Sequence, residues 1–405
     1  MKYAVILMDG AAGYPLKQLQ GKTCLQAARK VNIDYLAKRS LLGMVRTVPR
    51  GKAPGSDIAN LSVMGYDPLV YHTGRSPLEA ASMGIDLGQD QITFRCNLVT
   101  LGQAESYSKR QMIDHSAGEI TTAESRKLIA DLAAELESDG IRLYPGVSYR
   151  HIIVWDQGPV DIECTPPHDI LGKEVTGYLP RGQSADLVLS MMEKSVEFLS
   201  SHPINMARQS EGKKPANSIW IWGQGTKPRL DSFYDKYGLQ GAVISAVDLV
   251  KGIGICAGLE PVEVQGATGN LHTNFEGKAK AAVDQLKKTD FVYVHIEAPD
   301  ECGHQGDFQG KIEAIERIDE RVIGPIYSWL DSSRKDFKIM VLPDHPTPIA
   351  LRTHTAEPVP FLIYNHQEKT GESGASYDEF WPAEYGMHID EGHKLMDLLI
   401  GKKNE

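Results

Sequence analysis

Residues 291 to 300 read Phe-Val-Tyr-Val-His-Ile-Glu-Ala-Pro-Asp. A short, almost continuous apolar run that ends abruptly in acidic residues is the pattern of a strand buried on both faces, with carboxylates delivered at its end. The pattern occurs twice more: residues 3 to 8 are apolar and stop at Asp9-Gly10, and residues 338 to 345 read Lys-Ile-Met-Val-Leu-Pro-Asp-His. Between these strands lie helical spacings, with Ile312, Ile315, Val322, Ile326 and Trp329 in one run and Ala279, Val283 and Leu286 in another. Alternating strand and helix predicts an α/β domain. Ligands bind at the carboxyl ends of such strands, where Asp9, Asp300 and Asp344 would project.

The stretch from about 85 to 180 differs in style. Ile92 to Thr100 and His151 to Trp155 read as its own strands, and Thr121 to Glu124 as a capping box opening a helix through Leu128, Leu132 and Leu136 to Gly140. A helix at Ala185 to Ser200 and a strand at Ser218 to Trp222 resume the earlier style. The expected organisation is a discontinuous domain, residues 1–84 with 180–405, interrupted by a smaller α+β domain at 85–179. Residues 203 to 217, rich in Ser, Lys, Pro and Asn, read as an exposed loop. Gly401 to Glu405 read as a terminal tail, and the alternating Trp220 and Trp222 as core.

At 405 residues the chain exceeds one compact core, and 41% hydrophobic with 24% charged residues is an ordinary globular balance. A formal net charge of −10 argues against nucleic acid as the main partner. It leaves room for a small anion held by a few arginines and a cation. The five cysteines, at 24, 96, 164, 256 and 302, form no Cys-x-x-Cys pair and leave one over in any disulfide scheme, which suits a reducing compartment. Ala4 to Met8 is too short for a signal-peptide core and no stretch approaches the length of a membrane span, so a cytoplasmic enzyme is expected.

Asp300-x-x-x-His304 puts a carboxylate and an imidazole on one face of a helical turn just past a strand. Taken alone, the pair is better explained by solvation. Together with Asp9, Asp344-His345 and His354, it supplies enough ligands for two divalent ions. Mixed carboxylate and imidazole ligands suit manganese, zinc or cobalt better than calcium. Two such ions form the clamp used for in-line phosphoryl displacement. Ala53-Pro-Gly-Ser-Asp-Ile-Ala-Asn60 offers a nucleophile. Pro54 and Gly55 set a turn, and Ser56 falls in the first turn of a helix running through Leu61 to Met64, where orphan N–H groups attract phosphate. The simpler reading makes Ser56 or Asp57 a helix N-cap. Cys302, between Asp300 and His304, is not read as a ligand.

Met8-Asp9-Gly10, Pro54-Gly-Ser-Asp57, Met64-Gly-Tyr-Asp-Pro68, His295-Ile-Glu-Ala-Pro-Asp-Glu-x-Gly-His304, Asp344-His-Pro-Thr-Pro348 and His354-Thr355 follow in that order along nearly the whole chain. This set resembles the archaeal-type cofactor-independent phosphoglycerate mutases of the alkaline phosphatase superfamily. The resemblance implies an alkaline-phosphatase-like three-layer α/β/α domain carrying the inserted one. It also implies one metal ion on Asp300, His304 and His354 and a second on Asp9, Asp344, His345 and the Ser56 hydroxyl. Ser56 would become a phosphoserine and return the phosphate to a different oxygen of the same carrier, interconverting 3- and 2-phosphoglycerate in glycolysis and gluconeogenesis without 2,3-bisphosphoglycerate. Lys278 matches a family lysine that balances transferred charge, with a solvated helix-start lysine as a nearly equal alternative. Arg95, Asn97, Asp114, His115, Arg150, His151, His168 and Asp169 resemble family segments of a substrate-gripping lid. Strand-end arginines paired with surface acids are the alternative.

One segment departs from the resembled pattern. Where those mutases carry Asp-Arg-Arg-Ala-Gly-Arg, this chain has Asp114-His115-Ser116-Ala117-Gly118-Glu119. Loss of three cations disfavours a polyanionic ligand if the segment faces substrate. It implies an alternative substrate bearing an ammonium group, as in a related bacterial subgroup proposed to be homoserine kinases. A metal-dependent phosphatase and a non-enzymatic metal-binding protein complete the alternatives. The expected partner is a small phosphorylated hydroxy acid, with neither nucleic acid nor membrane, and the oligomeric state stays open.

Overall fold

The computed structural model describes residues 1–402 except 139, 183, 334 and 369–372, so 403–405 of the expected tail lie outside the described residues. The chain divides into two compact units, residues 1–72 with 229–405 and residues 73–228.

In the first unit, strand Lys2–Met8 runs parallel to Phe291–Ile296 on one side and Phe337–Leu342 on the other, within an eight-stranded sheet. Odd and even residues of these strands are buried alike, so helices cover both faces and the unit has three layers. Met8 pairs with Ile296 and Leu7 with Leu342, which brings the three carboxyl ends to one edge. Val359–Asn365 then runs antiparallel to Phe337–Leu342, and Ser40–Val45 antiparallel to Val359–Asn365. Because of that double reversal, the chain enters at Val359 and leaves at Val45 on the same edge. The segments bearing His354 and Ser56 are therefore delivered beside Asp9, Asp300 and Asp344. The helical run expected from Ile312 to Trp329 forms as Phe308–Ile318 and Gly324–Ser332, joined by a π-helical stretch, Asp319–Ile323. Among the described residues, no helix is long and apolar enough to cross a membrane. All five cysteines are free thiols.

The second unit is built on antiparallel strands. Gln91–Leu101 lies between Arg150–Asp156 and Ser218–Thr226, and helix Thr122–Leu136 opens with the Thr121/Glu124 capping box. Its limits differ from the expected 85–179. Strand Ser218–Thr226 hydrogen-bonds along Gln91–Leu101, and helix Ala185–Ser200 packs on that strand, so both belong here rather than to the first unit. At the other end, Ser76 Oγ donates to Thr93 O at 2.9 Å. The loop expected at 203–217 is also corrected, because Pro203–Ser210 is a helix. His202 Nδ1 accepts the Ile204 N–H at 3.2 Å as its cap, while buried Arg208 reaches Glu124 at 2.9 Å and Ala117 O at 2.7 Å. Asn205 and Arg208 face inward partners, and composition alone reads them as solvated.

Candidate active site

Two groups of carboxylates and imidazoles meet at the carboxyl edge of the first unit's sheet. Helix Ala298–Gln305 begins just past its strand and presents Asp300 and His304 one turn apart. His304 Nε2 lies 3.2 Å from Asp300 Oδ2, and His354 Nε2 lies 3.5 Å from Asp300 Oδ1 and 2.9 Å from His304 Nε2. In the second group, His345 Nε2 stands 3.3 Å from Asp344 Oδ2 and 3.6 Å from Asp9 Oδ1. Ser56 Oγ is 3.2 Å from the same His345 nitrogen. The groups adjoin, since Asp9, Asp300 and His345 offer atoms within 4.8 Å of one another. Cys302 is in no such group among the described residues. The approach is close enough to require glycine at position 10, where φ is +62° and a Cβ would stand 2.5 Å from Asp300 Oδ1.

The charge balance of this edge is unusual. Asp9, Asp300 and Asp344 are all buried. Burial, reinforced by the Asp344 and Asp300 carboxylates, pushes the Asp9 carboxyl well above its ordinary range. Burial would raise Asp300 too, but hydrogen bonds from His304 and His354 hold it well below. His304 is raised to about 9, chiefly by its bond to Asp300, whereas burial lowers His345. Asp9 Oδ1 is buried and has no hydrogen-bond partner among the described residues. Three buried carboxylates, one with a bare oxygen, make a surplus of negative charge that a cation would neutralise. Oxygen and imidazole donors together fit divalent transition ions.

Ser56 is the first residue of helix Ser56–Val63, whose N-cap is Gly55, without a side-chain cap bond. The plain N-cap reading of Ser56 and Asp57 is thereby overturned. Lys278 is fully buried rather than solvated, donates from Nζ to His295 O at 3.1 Å, and is lowered by burial to about 8.

Most of the expected substrate residues gather within the second unit. The Arg95 guanidinium lies 4.3 Å over the Trp222 ring, with Nε 2.9 Å from Glu79 Oε2. Asn97 Oδ1 accepts Trp222 Nε1–H at 3.1 Å, and the His168 ring meets Trp222 edge-on at 5.4 Å. His115 lies 6.2 Å from His168 and 5.7 Å from Tyr149, over which Arg150 sits at 5.6 Å. Trp222 is buried in the core, as expected from the sequence, and its ring also carries this cluster. His151 stands outside it. It pairs with Cys96 and so takes the opposite sheet face from Arg95 and Asn97, and its Nδ1 accepts the Gly146 N–H at 3.0 Å. Asp169 is exposed beside His168 at 3.7 Å, and Asp114 is paired with Lys214 at 2.5 Å.

A family model described as 2,3-bisphosphoglycerate-independent phosphoglycerate mutase matches residues 37–205. A Geobacter sulfurreducens protein named as a probable mutase of that kind is 48% identical over 402 residues, 99% of this chain and 100% of its own. The Methanosarcina barkeri protein of the same name is 48% identical over 404 residues, 100% of each chain. The chain belongs to the 2,3-bisphosphoglycerate-independent phosphoglycerate mutase family. Among solved structures, the PH0037 protein from Pyrococcus horikoshii matches with a TM-score of 0.82 and 31% identity, over 100% of this chain and 98% of that one. The cofactor-independent phosphoglycerate mutase from Thermoplasma acidophilum matches with a TM-score of 0.65 and 26% identity, over 99% of each. The chain therefore shares its α/β fold, over nearly its whole length, with these two proteins.

In this member of the mutase family, several groups at the site escape sequence reasoning. His295 Nε2 is 2.8 Å from Asp9 Oδ2 and its Nδ1 is 3.0 Å from Ser245 Oγ, with burial lowering the ring to about 3. Asn60 donates to Ser56 O at 2.9 Å and to Asp344 Oδ2 at 3.0 Å, and accepts from Tyr293 OH at 2.7 Å. Only the spacing of Asn60, one helical turn after Ser56, was available as a signal.

Proposed function

We propose that this chain interconverts 3-phosphoglycerate and 2-phosphoglycerate by passing the phosphoryl group through Ser56. The observation that carries the reading is the Ser56 hydroxyl, placed at a helix N-terminus 3.2 Å from His345 Nε2, beside the two ligand groups. Asp300, His304 and His354 would hold one divalent ion, and Asp9, Asp344, His345 and the Ser56 oxygen a second, with manganese, zinc or cobalt suited to both. Such ions, when bound, supply neutralisation of phosphate charge and a more acidic serine hydroxyl.

The chain's own residues do the rest. First-turn N–H groups of the Ser56 helix receive phosphate oxygens, and Asn60 holds that turn to Asp344. Buried Lys278 adds a cation behind the strand end at His295. As the Ser56 Oγ–P bond forms, the Ser56 O–H bond and the bond from phosphorus to the substrate oxygen break, and the serine's proton is balanced by the one that the departing oxygen takes up. Transfer to the neighbouring hydroxyl reverses these steps. The phosphate that Ser56 returns is the one it took from the same carrier, so no 2,3-bisphosphoglycerate is needed to supply it. The groups around Trp222 and Tyr149, among them Arg95, Asn97, His115, Arg150 and His168, bind the substrate's carboxylate and hydroxyl. The reaction serves glycolysis and gluconeogenesis in the cytoplasm.

The ammonium-substrate alternative is disfavoured, because full-length relatives at 47–49% identity are named mutases. Lys214, moreover, places a cation on Asp114 in the segment that lacks the family arginines. Intact-mass analysis and turnover of 3-phosphoglycerate test the reading. Wild type is expected to gain one phosphate and turn over, and Ser56→Ala to show no phosphate and a loss of about 10⁴-fold. Full turnover by the alanine variant would remove Ser56 from the mechanism.

A further inference from the structure

We propose that Thr347 is a positioning residue shared by the two metal-binding groups, so that one hydroxyl orients a ligand of each. The inference rests on the two-metal reading above and goes beyond its ligand set. Thr347 is fully buried. Its Oγ1 donates to Asp300 Oδ1 in the first group and lies 3.3 Å from His345 Nδ1 in the second. A hydroxyl has a single proton to give. With that proton committed to Asp300, the bond to His345 must run the other way, from Nδ1–H to Oγ1. His345 then carries its lone pair on Nε2, the nitrogen that faces Asp344, Asp9 and Ser56. Thr347 thus sets the imidazole tautomer that a metal in the second group needs and the carboxylate orientation that the first group needs.

The hydroxyl's own position is locked from behind. Thr347 N donates to Ala12 O at 3.1 Å. Lys311, also buried, donates from Nζ to Thr347 O at 2.8 Å and to Ala12 O at 3.0 Å, clamping the segment after Asp9 to the segment after His345. Neighbouring backbone closes around the side chain. A Cβ on Gly10 would lie 2.6 Å from Thr347 Oγ1, and one on Gly303 2.7 Å from Thr347 Cγ2. Loss of one ligand would weaken its own group, whereas loss of this hydroxyl weakens both.

Calorimetric titration of manganese alone into the chelator-stripped full chain tests this. Wild type is expected to take up two ions. Thr347→Val, near-isosteric but without the hydroxyl, is expected to lose about tenfold or more in affinity at both sites. Thr347→Ser, which keeps the hydroxyl, is expected to recover most of that loss, a rescue that a purely packing role for the methyl group would not give. Thr347→Ala serves as a second hydroxyl-free variant should valine disturb the core. Wild-type affinities in a folded valine or alanine variant, or weakening confined to one ion, would overturn the proposal. So would the failure of both hydroxyl-free variants to fold, which would assign Thr347 to the fold alone. Absence of any binding by wild type would instead overturn the two-metal reading itself.

Discussion

Asp344 accepts hydrogen bonds from the Gly10 and His345 amides at 3.0 and 2.9 Å and from Asn60 Nδ2 at 3.0 Å. One carboxylate therefore joins the turn after the first strand, its own loop and the helix that carries Ser56. Replacing it with asparagine keeps the shape and removes the charge that would bind a cation. Asp344→Asn is expected to lower manganese affinity by at least about tenfold and to reduce turnover in step with metal content. Stripping wild type with a chelator should do the same, with recovery on adding manganese, cobalt or zinc. Metal analysis of dialysed protein, set beside its turnover, checks both. Active protein carrying no transition ion would refute the two-metal reading.

Among the elements, the hairpin of Ile141–Val147 and Arg150–Asp156 carries the clearest consequence for pH. His151 is buried in it, accepts the Gly146 N–H and leaves Nε2 without a hydrogen-bond partner among the described residues. Burial lowers its ring from 6.5 to about 3. Below the ordinary value an unfolded chain takes up a proton that the folded chain refuses. The stability tied to His151 is therefore complete above 6.5 and is lost as pH falls toward about 3. His151→Gln keeps an acceptor for the Gly146 amide and removes the titration. Urea unfolding in chelator is expected to show wild type losing about 2 kcal/mol more than the variant on going from pH 6.5 to about pH 5. Parallel pH profiles would contradict the assignment.

At the scale of the molecule, the two units divide the chemistry. Both ligand groups and Ser56 belong to the first unit, and the arginine and imidazole cluster on Trp222 and Tyr149 belongs to the second. A change within the second cluster should therefore separate substrate affinity from metal affinity. Arg150→Ala is expected to raise KM for 3-phosphoglycerate about tenfold, with manganese binding unchanged. Steady-state kinetics together with a metal titration read the two quantities independently. An unaltered KM would remove Arg150 from substrate binding, and a fall in metal affinity would show that the units are not separable in this way.

The sequence by itself determined what is local: three buried strands ending in carboxylates, the Asp300-to-His304 turn, Ser56 opening a helix, the Thr121 capping box and the helix Ala185–Ser200. Such features are written in periods of two and 3.6 residues and in spacings of three and four. Tertiary structure alone decided which of them meet. His354 reaches the site because Val359–Asn365 runs backwards through the sheet, and the unit boundary moves to 228 because Ser218–Thr226 pairs with a strand more than a hundred residues earlier. Register turns His151 away from Arg95, and packing sets the Arg95 guanidinium over the ring of the core residue Trp222. Asn60, His295 and Thr347 have side chains common in any helix, strand or loop. Their distant partners, Asp300 for Thr347, Asp344 for Asn60 and Asp9 for His295, lie 47, 284 and 286 residues away, and no local period records a contact between segments so far apart.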